Sequence, residues 1–108
     1  MVEVEQLCLL CEHVWGRPVF EDEFLRLGER VWNLGRLFNL REGVEPDDLP
    51  ILMRAEKGAF TDGLSAGKSI GERAFAAALR EYYELRGWDD AGVPSEARLS
   101  ELDLDVRL

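Results

Sequence analysis

The sequence predicts an all-α fold, a compact bundle of about four helices with a loop-rich middle and an extended C-terminal tail. Two observations support this prediction. Apolar residues recur at spacings of three and four over most of the chain, and glycine or proline stands where that periodicity stops. We expect a single helical domain over residues 1–108, long enough to bury on the order of 65% of the surface that the unfolded chain exposes.

The first two helices are predicted over residues 3–14 and about 20–41. The second has the most regular periodicity in the chain, and we expect its apolar stripe to be buried. The stripe consists of Phe20, Phe24, Leu27, Val31, Leu34 and Phe38, widened by Trp32, Leu37 and Leu40. Gly28 and Gly35 lie seven residues apart on this helix, and we expect them to allow close approach of another helix backbone.

Shorter helices are predicted in the second half of the chain. A turn of helix is predicted around residues 49–54, within a loop-rich stretch over 44–69. The third helix is expected over about 70–86, with a capping box of Ser69 and Glu72 at its start. A fourth is expected from Pro94 to about Leu102. From residue 101 onward polar and apolar residues alternate, which favours an extended tail.

The stretch GLSAGKSI at residues 63–70 looks like a phosphate-binding loop, but its spacing excludes that function. A P-loop needs a glycine, four residues, and then Gly-Lys-Ser/Thr, so that backbone N–H groups surround a phosphate. Counting back from Gly67, the first glycine position is occupied by Asp62, whose carboxylate would repel the ligand. We interpret this stretch as a loop before a helix.

Composition restricts the classes of partner. The formal net charge is −9, from 22 acidic and 13 basic side chains, which argues against binding to nucleic acid or to an anionic membrane. No apolar run approaches the roughly 18–20 residues of a membrane span. Residues 1–10 carry acids where a secretion signal carries lysine or arginine, so we expect a cytoplasmic protein with reduced cysteines.

The only cysteines and the only histidine lie together in CLLCEH, residues 8–13. One C-x-x-C pair alone is a weak signal, because a structural zinc site takes four ligands. On a helix, His13 projects about 160° away from Cys11, so the three side chains do not converge. We therefore interpret Cys8 and Cys11 as small apolar residues, and expect no catalytic, cofactor-binding or metal-binding residue.

One locally basic segment interrupts the acidic chain. Residues 26–43 contain four arginines against Glu29 and Glu42. Such a segment either forms surface salt bridges or faces an acidic partner or another domain, and isolated charge clusters are more often simply solvated.

Two longer stretches, residues 27–43 and 80–104, resemble the C-terminal region of the aldehyde:ferredoxin oxidoreductase family. That region runs from a Gly-Glu-Arg helix to Phe-Asn-x-Arg-Glu-Gly, and closes with Tyr-Tyr-x-Leu-Arg-Gly-Trp-Asp, Gly-x-Pro and a short helix. The matching residues are Gly28-Glu29-Arg30, Asn33, Arg36, Phe38-Asn39, Arg41-Glu42-Gly43, Asp47-Asp48-Leu49-Pro50, Gly67, Tyr82-Tyr83, Leu85-Arg86-Gly87-Trp88-Asp89, Gly92 and Pro94.

The resemblance implies a helical domain that packs beside cofactor-bearing domains. Members of the family are tungsten- or molybdenum-pterin enzymes that oxidise aldehydes to acids and pass electrons through a [4Fe–4S] cluster to ferredoxin. Their cluster and pterin motifs precede the matched region. The resemblance therefore implies that tungstopterin or molybdopterin and the cluster would be held by the missing part or by a partner, and that ferredoxin is met only indirectly.

Three functional hypotheses follow. The chain is a structural domain or small subunit of such an oxidoreductase, a free-standing acidic helical interaction module without redox chemistry, or a small thiol or metal protein that uses Cys8 and Cys11. For the first hypothesis, the partners are the catalytic domains or subunit. The candidate interface residues are Trp32, Asn33, Arg36, Asn39 and Arg41.

Overall fold

A computed structural model describes residues 2–44, 63–68 and 71–105. Its α-helices are α1 (Val4–Trp15), α2 (Glu21–Arg41), α3 (Glu72–Arg86) and α4 (Glu96–Glu101), with one 3-10 turn over Gly63–Ser65. Within these ranges there is no strand, and Trp88 and Pro94 form an isolated antiparallel bridge. The all-α prediction of four helices is confirmed, and the turn predicted at residues 49–54 lies outside the described residues.

Glycines mark the C-terminal ends of α1, α2 and α3, whereas the predicted signal at the start of α3 is not used. Gly16, Gly43 and Gly87 have φ near +70°, the left-handed conformation that suits the residue after a helix. At the start of α3, Gly71 is the N-cap, so Glu72 is the first helical residue. The predicted capping box is therefore wrong, because it needs the glutamate at the third helical position. Its serine lies outside the described residues.

The end of α4 replaces the first part of the predicted extended tail. Asp103 adopts φ 51°, and its N–H donates to Ser100 O at 3.1 Å, while the Leu104 N–H donates to Leu99 O at 2.9 Å. These two bonds form a Schellman motif, which satisfies the last carbonyls of the helix. The alternation from residue 101 is thus a helix end, and only residues 104–105 continue beyond it in the described chain.

Most of the apolar stripe of α2 is exposed, contrary to the prediction, although Leu37, one of the residues that widen it, is buried as expected. Val31 is 65% exposed and Phe38 is 54% exposed, whereas Asn33 and Leu37, on the other side of the helix, are fully buried. The helix is amphipathic as predicted, but its more polar side packs against the rest of the chain. In α1, Leu10 and Val14 are exposed as well.

Helix α1 is tied to the chain by the short connection to α2. Cys8 and Val19 are buried there, and a Glu12 carboxylate oxygen accepts the Val19 N–H at 2.9 Å. No helix of the described part of the chain is both long and apolar enough to cross a membrane.

Candidate functional site

The side of α2 that faces the C-terminal half carries polar side chains and is here called the inner face. It consists of Arg26, Glu29, Arg30, Asn33, Arg36 and Leu37. These residues recur at helical spacings of three and four, so they lie on one side of the helix.

Asn33 is the centre of this inner face. Its side-chain amide donates to Glu29 O at 2.8 Å, and its Oδ1 accepts the Trp88 indole N–H at 2.8 Å. Both residues are buried, and each of these polar groups has a partner. This bond joins α2 to the loop after α3 through two groups 55 residues apart in sequence.

Hydrogen bonds within the loop over residues 88–95, and one to the residue before it, hold this loop in shape. The Asp89 carboxylate accepts the N–H groups of Ala91 and Val93, both at 2.9 Å, and Asp89 N–H donates to Val93 O at 2.8 Å. Ser95 N–H reaches back to Gly87 O at 3.1 Å. The loop therefore presents a fixed carbonyl, Gly92 O, to helix α2.

Arg36 binds that carbonyl and stacks on the aromatic residues around it. Its Nε donates to Gly92 O at 2.8 Å, and its guanidinium lies 4.8 Å from the Trp88 ring centroid and 5.8 Å from that of Tyr83. Gly92 has φ +73°, and a Cβ added there would stand 2.2 Å from Arg36 Nη2 and 2.7 Å from Tyr83 Cζ. Only glycine fits between the arginine and the tyrosine.

Glu29 links three helices. One carboxylate oxygen accepts from Arg86 on α3, and the other accepts from Arg98 on α4 at 3.1 Å. All three side chains are less than one third exposed. These ion pairs are more sheltered from water than the usual surface pair, which is worth little because solvent screens it.

The remaining basic residues of the segment bind the end of α4 or a neighbouring residue. Arg26 donates to Asp103 Oδ2 at 2.7 Å and to Glu101 O at 3.1 Å, and Arg30 donates to Leu102 O. Arg41 pairs with the adjacent Glu42 at 3.0 Å. Of the two interpretations of this basic segment, these internal ion pairs and hydrogen bonds favour salt bridging.

The five predicted interface residues do not share one surface. Asn33 is 0% exposed and Arg36 is half-buried. Trp32 is 53% exposed and donates its indole N–H to the Tyr82 hydroxyl at 2.9 Å, and Asn39 and Arg41 are exposed. Their role in meeting a partner stays a prediction, and its accessible members are Trp32, Asn39 and Arg41.

A groove between α2 and α3 brings three of the five together. It has a volume of about 610 Å³. Its lining residues are Val31, Trp32, Gly35, Arg36, Asn39, Leu79, Tyr82 and Trp88. The interface prediction omitted its α3 wall, although Leu79 and Tyr82 share a helix face at a spacing of three that the sequence displays.

The opposite side of α2 is here called the outer face, and it is defined by Leu27, Val31, Leu34 and Phe38. All four side chains are exposed. Gly28 and Gly35 flank this row on the side of Val31. No heavy atom of the described residues outside the helix's own backbone stands within 4 Å of a Cβ built at either position. The expected close approach of another helix is not made within the described chain.

By themselves, the two cysteines cannot supply all the ligands of a [4Fe–4S] cluster. A [4Fe–4S] cluster takes four thiolate ligands, and the sequence has two cysteines. Cys8 is buried, which raises the pKa of its thiol and disfavours the thiolate, and Cys11 is half-buried. Among the described residues, no three His, Cys, Asp or Glu side chains are grouped to hold a metal.

Burial of Cys8 supports its interpretation as a small apolar residue. The only histidine is occupied locally, because His13 Nδ1 lies 2.6 Å from Leu9 O on its own helix. In the described residues, polar contacts thus hold the helices of the domain together, and the apolar outer face of α2 is left exposed.

Comparison with known proteins gives the family. Residues 1–104 match the family model described as aldehyde ferredoxin oxidoreductase, domains 2 & 3, and the chain belongs to this family. The tungsten-containing aldehyde ferredoxin oxidoreductase of Pyrococcus horikoshii is 38% identical over 87 residues, which are 78% of this chain and 14% of that protein. The Pyrococcus furiosus protein of the same name is 35% identical over 86 residues, 77% of this chain and 13% of that protein.

The family resemblance inferred from the sequence is therefore confirmed. The chain spans about one seventh of the length of the curated relatives that it matches.

Proposed function

We propose that this chain is the structural C-terminal domain, or a small subunit, of an aldehyde ferredoxin oxidoreductase-like enzyme, and that it is not catalytic on its own. The enzyme would oxidise an aldehyde to an acid and pass the electrons through an iron–sulfur cluster to ferredoxin in the cytoplasm. The observation that carries this proposal is the uncovered outer face of α2 in a chain that matches only 14% of its relative's length.

The internal contacts support a structural role. Asn33, Arg36 and Glu29 use their polar groups to fix α2 against α3, α4 and the loop between them. Paired polar groups that are sheltered from water rigidify a fold. A rigid helical unit of this kind can hold its outer side at a constant angle toward neighbouring domains.

The chemistry of the whole enzyme is assigned to the part outside this chain. Tungstopterin or molybdopterin would be bound there. The cluster would be bound there as well, because this chain lacks the thiolates for a cluster. Ferredoxin would meet the cluster-bearing part, so its contact with this chain would be indirect.

The proposal is tested by tagged purification from the native cell under gentle conditions. Mass spectrometry identifies the polypeptides recovered, and elemental analysis measures tungsten, molybdenum and iron. We expect a metal-bearing oxidoreductase polypeptide, either joined to this chain or present with it at equal stoichiometry. Recovery of the chain alone and free of metal would instead favour a free-standing helical interaction module.

A further inference from the structure

The outer face of α2 has the geometry of a helix-docking surface. Leu27, Val31, Leu34 and Phe38 follow one another at spacings of four, three and four, so they form a continuous apolar row about 17 Å long at 1.5 Å per residue. Soluble monomers seldom expose continuous apolar patches of more than a few hundred Å². This row is therefore a candidate for burial against another polypeptide.

The two glycines beside this row have no close neighbour within the described chain. Neither has a positive φ, and no described atom outside the helix backbone would contact a side chain added at Gly28 or Gly35. Glycine in a helix interior costs about 1 kcal/mol relative to alanine. Close approach of a neighbouring backbone is the physical gain that offsets this cost.

The groove beside the outer face provides a place for one large side chain. Val31 belongs to both the apolar row and the groove, and Gly35 lines the groove next to it. Trp32, Leu79 and Tyr82 form the walls of the groove. An amphipathic helix lying on such a surface is anchored by side chains at spacings of three and four, with one of them inserted into the pocket.

The occupant comes from the rest of the enzyme rather than from a second copy. Each chain has a net charge of −9, so two copies would repel each other as they approached. The matched relative, in contrast, has about six sevenths of its length outside the matched region. We propose that the outer face of α2 docks one helix of that remaining part, with apolar side chains over Val31 and a bulky one in the groove. This inference rests on the proposed function.

Site-specific photocrosslinking in the natively purified assembly tests this docking. Val31 is replaced by p-benzoylphenylalanine, and Leu85, which is 78% exposed on α3, receives the same replacement as a control. After irradiation, mass spectrometry maps the crosslinked peptides. We expect the Val31 position to crosslink to an apolar helix of the metal-bearing polypeptide, and the Leu85 position not to reach that helix.

A second pair of variants measures the strength of the contact. Where the metal-bearing polypeptide is a separate chain, Val31→Asp is expected to weaken its recovery on the order of 30-fold, the effect of losing a central interface anchor. Where the two are joined, the crosslinking at Val31 decides. Leu85→Asp adds the same charge elsewhere and should leave recovery unchanged. Equal losses in both variants would overturn the proposal, because added charge alone would then explain them.

The outcomes separate this inference from the proposed function. If the metal-bearing polypeptide is present but the Val31 position crosslinks to a second copy, to residues 45–62 of its own chain, or to nothing, the docking inference fails and the proposed function stands. If no metal-bearing polypeptide is recovered at all, both fail together.

Discussion

The two sides of α2 differ in a way that reverses the usual arrangement of a surface helix. Such helices bury their apolar side and expose their charged side. Here the inner face, with Asn33 and Arg36, packs against the chain, while the outer face, with Val31 and Phe38, stays exposed. Hydrogen bonds of defined direction hold the inner face against the rest of the chain. The outer face has only apolar surface, whose interactions are non-directional.

This difference separates the two tasks of the helix. The net contribution of one hydrogen bond to stability is only about 1 kcal/mol, but leaving a buried polar group without its partner costs more. The inner network therefore selects one arrangement of α2, α3 and α4. The outer face gains stability only when another polypeptide covers it, since burial yields roughly 25 cal/mol per Å² of apolar surface.

The largest effect on stability is expected at Gly92, in the loop that Arg36 of the inner face binds. Gly92→Ala introduces a Cβ 2.2 Å from Arg36 Nη2 at a φ of +73°, and should lower the free energy of unfolding by about 3 kcal/mol through strain and overpacking. Urea denaturation measures this change. Gly16→Ala has a similar φ of +70° with nothing described within 4 Å, and should cost only about 1–2 kcal/mol. Equal losses of unfolding free energy in the two variants would show that the contact between Gly92 and Arg36 is not tightly packed.

A smaller effect is expected at the centre of the inner face. Asn33→Leu leaves the buried Trp88 indole N–H without its acceptor, and should cost about 2 kcal/mol in urea denaturation. The double variant Asn33→Leu with Trp88→Phe removes both partners. It should lose less than the sum of the two single variants, because no orphaned donor remains. Strict additivity would contradict a direct Asn33–Trp88 coupling.

The sequence predicted the helix but not which side of it would be buried. Residues 20–41 were expected to be helical, and α2 spans Glu21–Arg41, because a spacing of three and four depends only on local geometry. That periodicity reveals an apolar side without revealing what covers it. When the covering polypeptide lies outside the described chain, the most apolar side remains exposed.

The hydrogen bonds of the inner face were not predicted from the sequence, for a different reason. Asn33 and Trp88 are 55 residues apart, and nothing local to either indicates the pairing. Arg36 and Asn33 were therefore assigned to a partner interface. The usable signal was the spacing of polar residues 29, 33 and 36, which share one side of the helix, together with the Gly92 turn that offers a carbonyl.

On the outer face, a polar substitution should have almost no effect on the stability of the chain alone. Val31→Gln replaces a side chain that is 65% exposed, so the free energy of unfolding should change by no more than about 0.5 kcal/mol. The same denaturation assay with Leu37→Gln, at a fully buried position of the same helix, should show a loss of several kcal/mol. A large loss for Val31→Gln would mean that this chain itself covers the outer face.

The smallest effect is expected in the ion pair between the α1–α2 connection and the first turn of α2. Arg17 donates to both Glu23 carboxylate oxygens, at 3.1 and 2.6 Å, and this hydrogen bonding holds the pKa of Glu23 below its usual range. The pair's stabilisation is therefore complete above the ordinary pKa of about 4.3, and is lost as the pH falls through the lower folded-state value. An NMR titration of the Glu23 carboxyl measures that pKa.

Two variants show how far geometry, rather than charge, sets this pKa. Arg17→Ala should raise the pKa of Glu23, because both lowering effects of Arg17 are removed while desolvation, which raises the pKa, remains. Arg17→Lys keeps the positive charge but loses the planar two-pronged contact, so it should give an intermediate pKa, because the hydrogen bond is the larger cause and charge attraction the smaller. An unchanged pKa in Arg17→Lys would assign the shift to charge alone. An intermediate value would show that even an exposed pair here depends on directed hydrogen bonds, as the inner face does.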